Sequence, residues 1–228
     1  MNFAEYNVKD ANLEEILLAL KSLDTVEAVA LGGSRSTGAS DENSDYDIYV
    51  YCAEIPTAET RENLLGKYCS IAEFGNHYWE SEDNTVMNNG IPVDIIYREV
   101  DRFGRYIDTV IKGGKAFNGY TTAFWHNIKN SKVLFDKTGS FTKFRDMAQI
   151  DFPENLRSAI IKNNRNLLNG KLPSYDRQIK KAQERGDIVS VNHRITAFLE
   201  SYFDVIFALN RQTPVSYTHL TLPTTPYV

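Results

Sequence analysis

Two aspartates stand two residues apart in the segment LGGSRSTGASDENSDYDIYVY, at Asp45 and Asp47. The residues that follow, Ile48, Tyr49 and Val50, are β-branched or aromatic, so the pair falls at the start of a predicted strand. Residues i and i+2 of a strand point to the same side, with Cα atoms ~6.5–7 Å apart. Two carboxylates held in that way repel each other. A divalent cation resolves the conflict, and an all-oxygen donor set suits a hard ion such as magnesium. A third acid, Asp94, is set among apolar residues in IPVDIIY. A lone carboxylate there is costly to bury, and a share in the same metal site relieves the cost.

The apolar run that ends at Leu31 leads directly into Gly32-Gly33-Ser34. Glycines after a strand let backbone N–H groups approach a phosphate closely. The linker from Ser34 to Asp45 is short and polar, so this turn and the carboxylate pair can face one cleft. Gly33 to Gly38 also fits G-x-x-x-x-G, but Ala39-Ser40 follows where a P-loop needs Lys-Ser/Thr, and that reading fails for want of the lysine. Three carboxylates on two strands beside a Gly-Ser turn describe a site for metal-assisted phosphoryl transfer.

Gly33-Ser34, then Asp45-x-Asp47, then Asp94 on a later strand resembles the DNA-polymerase-β-like nucleotidyltransferase superfamily. The form GSRSTG followed by SDYDI is similar to its small bacterial members, which include antibiotic adenylyltransferases and minimal nucleotidyltransferases. The likeness runs over residues 25 to 98. It implies that Ser34 and the backbone around Gly33 hold a triphosphate, with Arg35 either a phosphate contact or a solvated loop charge. It implies that Asp45 and Asp47 ligate one or two Mg2+ ions, and that Asp94 ligates the catalytic metal with a part in deprotonating an acceptor hydroxyl. The reaction so implied is in-line attack on the α-phosphorus of a nucleoside triphosphate, with ATP the expected nucleotide and pyrophosphate leaving.

Positioning these residues requires a sheet. Leu13, Ile16, Leu17 and Leu20 fit one face of a first helix capped by Asp10 or Asn12. Strands are expected at Val26 to Leu31 and Tyr46 to Cys52, and at Ile91 to Tyr97 after an Asn89-Gly90 hairpin turn. A helix carrying Val100, Phe103, Ile107, Val110 and Ile111 then stops at Gly113-Gly114, and Lys132 to Phe135 is a further short strand. From Pro153 the pattern is helical, and Ile188, Val191, Ile195, Phe198, Tyr202, Val205 or Ile206, and Leu209 make a long apolar stripe. The expected class is therefore α/β (α+β): a small mixed nucleotidyltransferase sheet with helices on one face, over residues 1–145, followed by an all-helical C-terminal domain over 146–214. Residues 215–228, rich in Thr and Pro, read as a disordered or foreign tail.

Several other residues have two meanings. Arg157, Lys162, Arg165, Lys171, Arg177, Lys180, Lys181 and Arg185 give the helical half a basic bias, which is a solvated face or a wall against an anionic ligand. Tyr78-Trp79 and Trp125-His126 fill a core or stack on a ring, and His193-Arg194 lies on the long helix. Glu80, Glu82 and Asp83 are candidates for a general base.

The 228 residues, 42% hydrophobic and 24% charged, suit a soluble globular chain, and the net charge of −5 gives no overall pull toward DNA or anionic membrane. No apolar run reaches the ~18 residues of a membrane span, and MNFAEYNVKD is not a secretory signal. Cys52 and Cys69 lack metal spacing and read as reduced thiols of a cytoplasmic protein. The expectation is a magnesium-dependent nucleotidyltransferase acting on a small-molecule acceptor. A protein or RNA acceptor, as in toxin–antitoxin systems, and a non-catalytic nucleotide-binding module are the alternatives.

Overall fold

The computed structural model describes residues 10–38 and 44–214. The expectation for residues 215–228 lies outside the described residues. In chain order the elements are α1 (Ala11–Ser22), β1 (Val26–Leu31), α2 (Gly33–Thr37), β2 (Tyr46–Cys52), α3 (Ala58–Leu65), β3 (Cys69–Asn76), β4 (Ser81–Met87), β5 (Pro92–Glu99), α4 (Val100–Ile111), α5 (Ala123–Asn130), β6 (Lys132–Asp136), α6 (Ser140–Ala148), α7 (Glu154–Asn169), α8 (Tyr175–Glu184) and α9 (Ile188–Leu209). Among the described residues they fall into two compact units, one of those up to Tyr106 with Asn127–Ala148, the other of Ile107–His126 with those from Gln149 on.

The first unit holds a six-stranded mixed sheet in the order β3-β4-β5-β2-β1-β6. Only β2 and β5 run parallel; the other neighbours are antiparallel. The Asn89-Gly90 turn forms as expected, with Gly90 at φ +87° and Met87 N donating to Ile91 O at 3.0 Å. Alternation divides β2 between two faces. Tyr46, Ile48, Val50 and Cys52 join Val93, Ile95 and Tyr97 of β5 in a core that takes in Leu13, Ile16, Leu17 and Leu20 of α1 and Leu65 of α3. Asp10 caps α1 through the N–H groups of Asn12 and Leu13. On the opposite face Tyr51 meets Phe103 of α4 and Phe141 of α6 edge-on, with ring centroids 5.4 and 5.1 Å away.

Strand β3 was not among the expected strands. It is the sheet's edge, and its consecutive residues Ser70 to Glu73 are all exposed, so no buried face imprints a period of two on it.

The second unit is helical, with α7, α8 and α9 packed on one another. The long helix forms where its stripe predicts, capped by Asp187 through Ser190 N. Its packed face is a different one: Ser201, Asp204, Phe207 and Ala208 are buried, whereas Ile188, Ile195 and Leu209 are exposed by 71%, 41% and 46%. A polar knot sets that rotation. Asp204 accepts from Thr121 Oγ1 at 2.7 Å and from Asn164 Nδ2 at 3.0 Å, while Asn164 Oδ1 accepts from Gly119 N at 3.1 Å. Burial pushes the Asp204 carboxyl up to about 6, and hydrogen bonds from Thr121 and Asn164 oppose the rise. Among the described residues no helix is long and apolar enough to cross a membrane.

Candidate active site

The site begins where β1 ends. Gly32 N donates to Asp47 O at 2.8 Å, which lays the turn against the start of β2. A Cβ on Gly32 would stand 2.2 Å from the Tyr49 ring. A Cβ on Gly33 would stand 1.8 Å from Asp47 Oδ2, and Gly33 has φ +60° besides. Both positions demand glycine because the backbone lies directly on the side chains of β2. The first N–H groups of α2, from Gly33 through Ser34 to Arg35, have no acceptor within the helix. Such groups can meet anionic oxygens.

Arg35 ties this turn to the strand that returns. Its Nε donates to the carbonyls of Ser44 and Asp45, each at 2.9 Å, a terminal nitrogen donates to Ser44 O, and the guanidinium lies 4.0 Å over the Tyr46 ring centroid. Arg35 thereby fixes the backbone that carries Asp45. Lys132 of β6, which the sequence did not single out, brings its ammonium to 3.4 Å from Arg35 O. Among the described residues no carboxylate pairs with it.

The carboxylates follow from strand register. Asp47 and Asp94 are direct partners across the parallel β2–β5 pair, so their side chains rise on the same face. Asp45 lies two residues before Asp47 and is exposed, while Asp47 and Asp94 are half-buried. Burial pushes the Asp47 carboxyl up to about 6, and the charges of Asp45 and Asp94 push it further in the same direction. On the far side of Asp94, its register partner Asn84 donates Nδ2 to Asp94 Oδ1 at 2.9 Å.

A divalent cation suits this donor set chemically. The groups are hard oxygens, and the charges of Asp45 and Asp94 add to the burial that raises the Asp47 carboxyl, a crowding that a divalent cation would relieve. As the side chains stand, no group of three or more His, Cys, Asp or Glu among the described residues is gathered closely enough to hold a metal ion. Asp47 and Asp94 are brought together by pairing, and Asp45 acts on Asp47 through its charge.

The candidates for a general base separate cleanly. Asp83 points to the core face, where it is fully buried and ion-paired with Arg61 at 3.1 Å. Glu80 is engaged bidentately by Arg98, at 2.8 Å from Nε and 2.7 Å from a terminal nitrogen. Glu82 shares the face of Asn84 and Asp94, and its carboxyl is raised by burial and by the charges of Asp94 and Glu80. The aromatic pairs also divide: Tyr78 and Trp79 are exposed by 69% and 93%, whereas Trp125 is buried against Phe152 with centroids 5.2 Å apart.

Residues 13–116, which carry every one of these site residues except Lys132, match the family model described as nucleotidyltransferase domain. This part of the chain matches a nucleotidyltransferase domain, in keeping with the polymerase-β-like pattern of Gly33-Ser34, Asp45-x-Asp47 and Asp94. Residues 122–218 match a second model, described as a domain of unknown function (DUF4037). No curated protein matches the chain. Solved structures similar to it include a nucleotidyltransferase-like protein from Exiguobacterium sibiricum 255-15, at 9% identity and a TM-score of 0.45 over 90% of this chain. The chain spans 59% of that protein's length. Spectinomycin adenyltransferase from Enterococcus faecialis, solved with ATP and spectinomycin, aligns over 88% of this chain and 97% of its own at 12% identity and a TM-score of 0.38. A toxin–antitoxin structure with AMP-PNP aligns over 59% of this chain and 82% of its own, at 18% identity and a TM-score of 0.34.

Proposed function

We propose that the chain catalyses magnesium-dependent transfer of a nucleoside monophosphate from a nucleoside triphosphate, ATP in the first instance, to a hydroxyl of a small-molecule acceptor. The observation that carries this reading is the pairing of Asp47 with Asp94 in register on the face where Gly33 abuts Asp47. Asp47 and Asp94, joined by Asp45, would hold Mg2+, which when bound neutralises charge on the phosphate oxygens and on the departing pyrophosphate. The chain's own residues do the rest. Gly32 and Gly33 bring the backbone of the turn against β2, and Ser34 with the N–H groups of α2 receives the triphosphate. Arg35 contributes from behind, through the carbonyls of Ser44 and Asp45 that keep the carboxylates in place. Asp94, in register beside Asp47, would take the proton of the acceptor hydroxyl. Bond formation to the α-phosphorus and loss of pyrophosphate then proceed in line.

The test is incubation of the protein with α-labelled ATP, Mg2+ and a cell extract, with release of pyrophosphate followed in parallel. Transfer of label to a molecule that passes a small-molecule filter supports the reading. Label on a protein or RNA moves the acceptor to that class. Absence of both labelling and pyrophosphate release, under conditions where the nucleotide binds, refutes transferase activity.

A further inference from the structure

The face that carries Asp47 and Asp94 has polar residues beyond the expected three, and they form a row. Glu73 of β3 pairs in register with Asn84 of β4, Asn84 with Asp94 of β5, and Asp94 with Asp47 of β2. One level away, Asn76 of β3 leans into this row. Its Nδ2 donates to Asn84 Oδ1 at 2.8 Å and to Glu73 Oε2 at 3.3 Å. Asn84 Nδ2 in turn donates to Asp94 Oδ1 at 2.9 Å.

These bonds have a direction. An amide offers one end as donor and the other as acceptor, and which end faces a neighbour is set by its other bonds. Asn76 occupies the oxygen of Asn84, so the NH2 group of Asn84 must face Asp94. A carboxylate free at both oxygens can rotate and bind a cation through either or both. In Asp94 the bond from Asn84 restrains that rotation and uses part of the acceptor capacity of one oxygen, which favours the other for a cation. The result is a carboxylate of fixed orientation with its second oxygen turned from Asn84.

We propose that Asn84 is a positioning residue for Asp94, locked in polarity by Asn76, and that together they fix Asp94 as a one-oxygen ligand for the divalent cation. This rests on the proposed nucleotidyl-transfer function. Outer partners of metal-ligating carboxylates change metal affinity by roughly 10–100-fold when removed. Asn84→Leu keeps the size of the side chain and removes its donor. Asn76→Leu leaves Asn84 in place but removes the donor that sets its polarity, without adding a charge beside Glu73, so it acts on Asp94 only through the ladder.

The experiment is Mn2+ titration of the full chain with a non-hydrolysable ATP analogue present, read from the electron paramagnetic resonance of free Mn2+. Melting of the metal-free proteins is recorded alongside. The expected result is a rise of about tenfold or more in the Mn2+ dissociation constant for Asn84→Leu. A smaller rise in the same direction is expected for Asn76→Leu, with the metal-free melting of that variant unchanged. Dissociation constants within twofold of the wild type in both variants would overturn the proposal. Should Asn84→Leu fail to fold, Asn76→Leu decides by the same criterion, and failure of both to fold makes the ladder a structural device and ends the proposal. A wild-type chain that takes up no Mn2+ with the nucleotide analogue refutes the proposed function itself, a distinct outcome.

Discussion

Replacing Asp47 with Asn tests the electrostatic logic of the site without knowledge of the acceptor. In the metal-free chain the Asp47 carboxyl is raised from 3.8 to about 6 by burial and by Asp45 and Asp94. At 1.36 kcal/mol per pH unit that interval corresponds to about 3 kcal/mol, a ceiling because relaxation and solvent reduce it. The sign follows from the direction. The fold holds the Asp47 proton more tightly than the unfolded chain does, so the penalty is absent below about pH 4. It builds as pH rises through the interval and is complete above about pH 6. An uncharged amide at this position carries no such penalty. The Asp47→Asn chain should therefore melt above the wild type at pH 8, by up to roughly 6–12 °C at about 2–4 °C per kcal/mol, and the two should converge near pH 4. Mg2+ with a nucleoside triphosphate should raise the wild-type melting temperature and leave the variant's unmoved, since a ligand stabilises only the state it binds. Transfer activity should be lost. Thermal melts at pH 4, 6 and 8, with and without Mg2+ and nucleotide, check all of this. A variant less stable than the wild type at pH 8, or one that keeps the Mg2+-nucleotide shift, would show that Asp47 is a structural residue and refute the reasoning.

Gly33→Ala should abolish nucleotide-induced stabilisation and cost about 1–3 kcal/mol, because it adds a Cβ 1.8 Å from Asp47 Oδ2 at a backbone of φ +60°; equilibrium denaturation with and without ATP measures both. Arg61→Ala strands a fully buried Asp83 and should cost about 3–5 kcal/mol, read from the denaturation midpoint, whereas replacing the exposed Lys112 of the Lys112–Asp108 pair should cost less than about 1 kcal/mol. Asp204→Ala removes the acceptor of Thr121 and Asn164 inside the helical unit and should cost about 2–4 kcal/mol, visible as a loss of helical circular dichroism at lower denaturant. Nucleotide binding need not follow it, since Asp204 belongs to the second unit.

What the sequence made legible divides along a physical line. The Gly-Ser turn, the Asp45–Asp47 spacing and the start of β2 lie within fifteen residues of chain, and their chemistry follows from strand period and glycine geometry alone. The place of Asp94 beside Asp47 needed one non-local fact, the parallel register of β2 and β5, and the apolar context of IPVDIIY already hinted at it. Asn84 gave no such hint, because an asparagine in a polar segment looks like a loop residue until β4 is paired on both sides. Arg35 was ambiguous for the same reason: its bonds go to carbonyls nine and ten residues on, a contact no composition records. The rotation of α9 shows how the strongest periodic signal can mislead. Apolar residues marked a stripe, yet the knot of Asp204, Thr121 and Asn164 fixed the packed face, because a half-satisfied buried carboxylate costs more than an exposed Ile188 or Ile195. The polar residues that specify this fold are thus the ones a hydrophobicity pattern passes over. On the face of Asp47 and Asp94 the same rule holds: the row from Asn76 through Asn84 to Asp94 commits part-buried hydrogen bonds to one carboxylate oxygen, and only pairing across three strands could assemble it.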